Sequence, residues 1–175
     1  MSARPVCWTL LVAFFLLGCT EDDDRSPSAY SYLQDLIDHN RSLRTINQGV
    51  FGTVSWWSGD FMPTIDGCGP SGTIEGYSDS VFVYSAFKFS DTLLFDGQFG
   101  TFLNVTAPLF GKTLSTSTGF YQISLPPGDY TILFRVSGDT LWGGYGAGDG
   151  SVMKVTIQES VATEFDCGIT LNAYF

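Results

Sequence analysis

The sequence predicts an all-β chain: a single antiparallel β-sandwich of about seven strands, led by one N-terminal helix. Three observations carry that reading. Twenty glycines, fifteen phenylalanines and eight tyrosines accompany only 15% charged residues, the usage of a strand-rich chain with many turns. From Val50 onward apolar and polar residues alternate with a period of two. Clusters of glycine, proline and aspartate break that alternation at short intervals.

The N-terminus reads differently. Met1 to Pro5 is polar with Arg4 as its positive charge, Val6 to Leu17 is uncharged, and Gly18-Cys19 follows. A basic start, an apolar run and a small residue at the cut form a secretory signal over residues 1–18. The run is too short to span a bilayer, which takes about 20 residues. Leu16-Leu17-Gly18-Cys19 resembles the lipobox of bacterial lipoproteins, with Leu17 bulkier than the usual residue there. The resemblance implies cleavage before Cys19, acylation of that cysteine and a membrane partner reached through the lipid. Each buried methylene contributes roughly 0.8 kcal/mol, so more than one chain is needed for a firm hold.

Residues 19–29 form an acidic tether, Thr20-Glu21-Asp22-Asp23-Asp24 at its start. It resembles the export tag of Bacteroidota lipoproteins, which implies an outer-membrane position facing the cell surface; a periplasmic face is the alternative. Residues 30–48 carry a helical stripe of Tyr32, Leu33, Leu36, Ile37, Leu43 and Ile46, with Gly49 as a stop. His39, the only histidine, falls within it and reads as a surface residue.

Residues 50–175 hold the sandwich. Strands are expected at Val50–Trp57, Val81–Phe89, Thr113–Thr116, Phe120–Leu125, Tyr130–Val136, Ser151–Ile157 and Ala162–Tyr174. The stretch Thr92–Ala107 adds a short strand or an insertion. Pro126-Pro127-Gly128-Asp129 between two alternating runs predicts an antiparallel hairpin. Thr116 to Ile132, with Gly119-Phe120-Tyr121 and Leu125-Pro126-Pro127-Gly128-Asp129-Tyr130 within it, resembles the signature of carboxypeptidase regulatory-like domains, whose fold is an Ig-like, transthyretin-type β-sandwich. Gly52-Thr53-Val54 is similar to their opening strand, and Gly59-Asp60-Phe61-Met62-Pro63 to a turn of their lipoprotein-borne branch. Such domains are accessory, binding or structural modules, so the resemblance implies no catalytic residues. The loop Thr64–Asp79 and the segment Ser90–Ala107 exceed a minimal member and are where a private function is expected.

All 18 acidic residues follow Cys19 but only seven of the eight basic ones do, leaving the mature chain at −11. That excludes nucleic acid as a partner, since its phosphates call for a basic surface. Cys7 leaves with the signal and Cys19 is acylated, so Cys68 and Cys167 remain in an oxidising compartment. A disulfide between them would close a loop of about 100 residues and contribute up to about 4.7 kcal/mol; two separate thiols are the alternative. Nothing has metal-ligand spacing. Asp66, Asp96, Asp139 and Asp149 fall in loops, where oxygen ligands can hold calcium, but no calcium motif repeats and solvated turn residues are the preferred reading.

Within the glycine-rich loop Ser137–Gly150, Trp142 and Tyr145 are the ligand-binding candidates, because exposed rings on a rigid sandwich stack on sugars or peptides. The competing expectation is that both cap the core. Trp56 and Trp57 are adjacent on a strand, so one faces inward and the other outward. Asp79-Ser80-Val81, Asp91-Thr92-Leu93 and Asp139-Thr140-Leu141 resemble Bacteroidota O-glycosylation acceptors, which makes Ser80, Thr92 and Thr140 candidate sites. The sequence thus points to a lipid-anchored, non-catalytic interaction or structural module without cofactor, its partner an envelope protein; a glycan binder using loop aromatics is the alternative.

Overall fold

The computed structural model describes residues 28–62, 71–91, 100–144 and 146–175. The signal expectation and the tether up to residue 27, with Cys7 and Cys19, lie outside the described residues, as do Cys68, Thr92, Tyr145, Asp66 and Asp96. Among the described residues no helix is long and apolar enough to cross a membrane. The chain is an all-β sandwich of two open sheets with one helix, α1 (Ala29–Arg41).

Ser28 caps α1, its hydroxyl accepting the Ser31 N–H at 3.2 Å. Leu36 and Asn40, four residues apart, are buried on one face. The helix stops at Arg41 rather than continuing to residue 48. After it, Leu43 N–H returns to the Asn40 carbonyl and Ser42 N–H to that of His39, tightening the last turn. The following segment is tied to a strand instead: Thr45 N–H donates to Gln122 Oε1 and the Gln122 amide donates back to Thr45 Oγ1.

β1 (Gly49–Asp60) runs through the middle of the first sheet and changes partners along its length. Its first half pairs antiparallel with β6 (Phe120–Ile123) and parallel with β10 (Ala162–Glu164). Its second half pairs antiparallel with β2 (Thr73–Gly76) and parallel with β11 (Cys167–Tyr174). The first sheet is therefore mixed, where an antiparallel one was expected. At the changeover Val54 donates to the Gly119 carbonyl and accepts from Tyr77 N–H. Gly119 has φ of 76°, and a Cβ there would strike the Val54 carbonyl, so the position needs glycine twice over.

The second sheet centres on β7 (Gly128–Ser137), flanked by β3 (Ser80–Ser85) on one side. On its other side lie β9 (Lys154–Ile157) and β8 (Thr140–Trp142), and β4 (Thr101–Phe102) pairs β8. β5 (Leu109–Leu114) pairs β3 and ends the sheet. Val50, Val54, Val81, Val83, Ile132, Phe134 and Ile169 fill the space between the sheets. Removing a fully buried side chain such as Ile132 to alanine costs roughly 2–5 kcal/mol.

The proline-rich segment does not form a hairpin. β6 belongs to the first sheet and β7 to the second, so Ser124–Pro127 is a crossover between layers. Pro126 and Pro127 have no N–H to give to a ladder, and the Tyr130 hydroxyl donates to the Pro126 carbonyl at 3.0 Å, pinning the corner. Both outer faces are covered as well. α1 lies on the first sheet, while Phe87, Phe102 and the chain around Val105–Ala107 pack with Leu133 and Tyr84 on the second. The part of the Ser90–Ala107 segment that the structure describes is a second small core rather than a free loop.

Candidate functional site

The outer face of β1 beneath α1 is polar yet buried. Asn40, 1% exposed, donates to Thr53 Oγ1 at 3.0 Å and to the Thr118 carbonyl at 2.8 Å, and accepts from Thr118 Oγ1. Asp166 Oδ1 accepts the Thr53 N–H at 2.7 Å, and Trp57 Nε1 donates to Ser55 Oγ at 2.9 Å. Asn40 ties the helix to β1 and to the turn before β6, Asp166 ties the chain before β11 to β1, and the Trp57–Ser55 bond lies within β1, so this layer is a structural lock.

Toward the far end of β1 the polar layer gives way to rings. Trp57 lies against Tyr30 of α1 at 5.8 Å, Phe61 at 5.1 Å and Phe175 at 6.1 Å between centroids. Phe61 and Phe175 are stacked at 5.5 Å. Phe61 is buried and locked by its N–H to the Tyr174 carbonyl, while Phe175 is 64% and Tyr174 68% exposed. Tyr30, Tyr32 and Met62 add further exposed apolar surface. The start of α1, the end of β1 and the end of β11 thus converge on one aromatic pole.

Trp57 is the outward member of its pair, and Trp56 packs inward, stacked on Tyr77 at 5.3 Å. The alternation that predicts this could not reveal the pole, because Tyr30 and Phe175 come from segments remote from Trp57.

The other candidates fall elsewhere. Trp142 is 3% exposed and its indole N–H donates to the Gly168 carbonyl at 3.2 Å. The expectation of an exposed stacking ring at Trp142 is corrected: β8 pairs with both β7 and β4, and this fixes Trp142 inward. Ser80 is 1% exposed at the start of β3, opposite Leu114 of β5, which leaves its hydroxyl no room for a glycan. Thr140 is half-buried at the start of β8, and His39 is exposed on α1.

Asp79, Asp129 and Asp149 are engaged in turns and ion pairs. Asp149 accepts from the N–H and hydroxyl of Ser151, Asp79 pairs with Arg135 at 2.6 Å, and Asp129 with Lys154 at 2.9 Å. Among the described residues no group of three or more His, Cys, Asp or Glu side chains gathers to hold a metal ion. No protein-family model, no curated protein and no solved structure matches the chain.

A hollow of about 410 Å³ beside Trp142, Met153 and Phe165 reaches Asp166, Cys167 and Phe175. Cys167 is a free, buried thiol. Burial pushes it up to about 12, against a weaker opposing hydrogen bond from Trp142. At neutral pH it stays protonated and is no nucleophile. Burial also raises the Asp166 carboxyl. One neutral thiol beside one carboxyl makes no acid–base pair.

Proposed function

We propose that this chain is a lipid-anchored outer-membrane protein, acylated at Cys19, whose sandwich is a non-catalytic interaction module of the carboxypeptidase regulatory-like type. The anchor rests on the apolar run and Leu16-Leu17-Gly18-Cys19. The module reading is carried by β5. This strand ends its sheet, and Leu109, Phe110 and Leu114 on it are each more than half exposed. An edge strand with an apolar margin offers both backbone groups and side chains to an incoming strand of an envelope protein. The structural use of Asp79, Asp129 and Asp149 supports the absence of catalysis.

The test joins two measurements in cells. Metabolic labelling with a clickable fatty acid marks the mature chain, and Cys19→Ala abolishes the label. A photo-crosslinker at Phe110 then captures one defined envelope protein, and Lys112→Pro, which removes an edge N–H, weakens that capture. Absence of label refutes the anchor. A substrate turnover abolished by one Asp or Glu substitution refutes the non-catalytic reading.

A further inference from the structure

We propose that the aromatic pole formed by Tyr30, Trp57, Phe61, Tyr174 and Phe175 seats the domain on the interfacial layer of a zwitterionic lipid bilayer. The inference rests on the acylation of Cys19 proposed above. It adds that the domain lies on the membrane in one orientation rather than hanging free from its lipid.

The chain leading to the pole supplies the argument for this occupant. α1 opens at Ala29, and Tyr30, one residue on, already touches Trp57 and Phe61. Only nine residues, Thr20 to Ser28, separate the acylated cysteine from the helix. Fully extended they reach about 30 Å. Any bilayer holding the lipid is therefore held close to these rings, at a high effective concentration.

The chemistry of the pole fits the same partner. Amphipathic rings prefer the headgroup level, where an apolar face and a polar edge are both satisfied. Tyr30, Tyr32 and Tyr174 are exposed, and Trp57 has its indole N–H satisfied by Ser55, leaving the ring to apolar contact. Charge selects the class of lipid. Arg41, Arg135 and Lys154 are paired with carboxylates, and Arg44 and Lys112 lie over Phe51 and Phe82. None of these five reaches the pole. Asp60 stands beside it, and four acidic residues occupy positions 21 to 24. An anionic surface is disfavoured, and the seat works by ring burial rather than by charge.

The full chain, matured in an acylating bacterium, is purified in detergent and reconstituted into phosphatidylcholine vesicles with acyl chains brominated near the headgroup. The signal removes Trp8 and leaves Trp56, Trp57 and Trp142. Bromine is expected to quench roughly a third of the emission, the share of one ring at the interface. High salt leaves the quenching unchanged. Trp57→Phe and, separately, Tyr174→Glu abolish it while the protein still floats with the vesicles; exposed Tyr174 tolerates the change without loss of fold. Flotation without quenching overturns the inference and leaves the anchor standing. Failure to float removes the anchor and this proposal with it. Binding of a soluble glycan that depends on Trp57, without quenching, reassigns the pole to sugar and also overturns the inference.

Discussion

Asn40 and Thr118 grip each other from opposite directions: the Asn40 amide donates to the Thr118 carbonyl, and the Thr118 hydroxyl donates to Asn40 Oδ1, both at 2.8 Å. They lie 78 residues apart in sequence, one on the helix and one in the turn before β6. Asn40→Leu keeps the branched shape of the side chain but leaves Thr53 Oγ1 and the Thr118 carbonyl without the Asn40 amide. It is expected to cost about 2–4 kcal/mol, since each buried polar group left unpaired costs about 1–3 kcal/mol. Chemical denaturation with circular dichroism checks it, and a loss below that of an exposed control such as Gln34→Leu refutes the lock.

Tyr121 is buried to 1%, and its hydroxyl donates to the Phe165 carbonyl at 2.6 Å. Tyr121→Phe removes only the oxygen and leaves the ring against Phe134. A loss of about 1–2 kcal/mol is expected in the same assay. The loss should exceed that of Tyr130→Phe, whose hydroxyl lies at the partly exposed Pro126 corner.

Asp79 and Asp166 respond to pH in opposite senses. Burial works to raise Asp79, but the Arg135 guanidinium and the Ser80 N–H outweigh it and hold the carboxyl below its usual value. Its contribution is therefore present above the ordinary carboxylate range and is lost as pH falls through the folded value. Burial raises Asp166, with the Thr53 N–H only partly opposing, so its contribution is present below the ordinary range and lost as pH rises. Asp79→Asn should lower Tm more at pH 7 than at pH 3. Asp166→Asn, which still accepts from Thr53, should raise Tm at pH 7 and lose that advantage at pH 3. Equal shifts at both pH values would contradict the assignment.

Cys167 should resist alkylation in the folded chain at neutral pH, because burial holds the thiol protonated. In denaturant without reductant it should then react fully, read by intact mass. A requirement for reductant would instead show the bridge to Cys68.

Exposure on intact cells is decided by protease shaving. Cleavage without permeabilisation is the outcome expected of the surface-facing reading, and protection until permeabilisation places the domain on the periplasmic face.

Alternation made β1, β3 and β7 and their inward residues legible, because a period of two tells which side chains share a face. It does not tell which sheet a strand joins. Phe120–Ile123 and Tyr130–Val136 carry the pattern of a hairpin, yet the same pattern serves a crossover, and Tyr130 decides between them only through a hydrogen bond in space. β2 and β8 escaped notice because three or four residues among glycines leave no period to read, while β4 falls in the stretch Thr92–Ala107 where a short strand or an insertion was expected. The aromatic pole was half visible: Trp57 was legible as one of an inward–outward pair, but its neighbours meet it only after folding.

The parallel pairing of β1 with β10 and β11 sets an order of events during synthesis. Val54 stands opposite Cys167, so the strand that opens the sandwich lacks a flank until nearly the whole chain has emerged. Contacts so distant in sequence form slowly and late. A nascent chain therefore cannot complete its first sheet until Cys167–Tyr174 has been made.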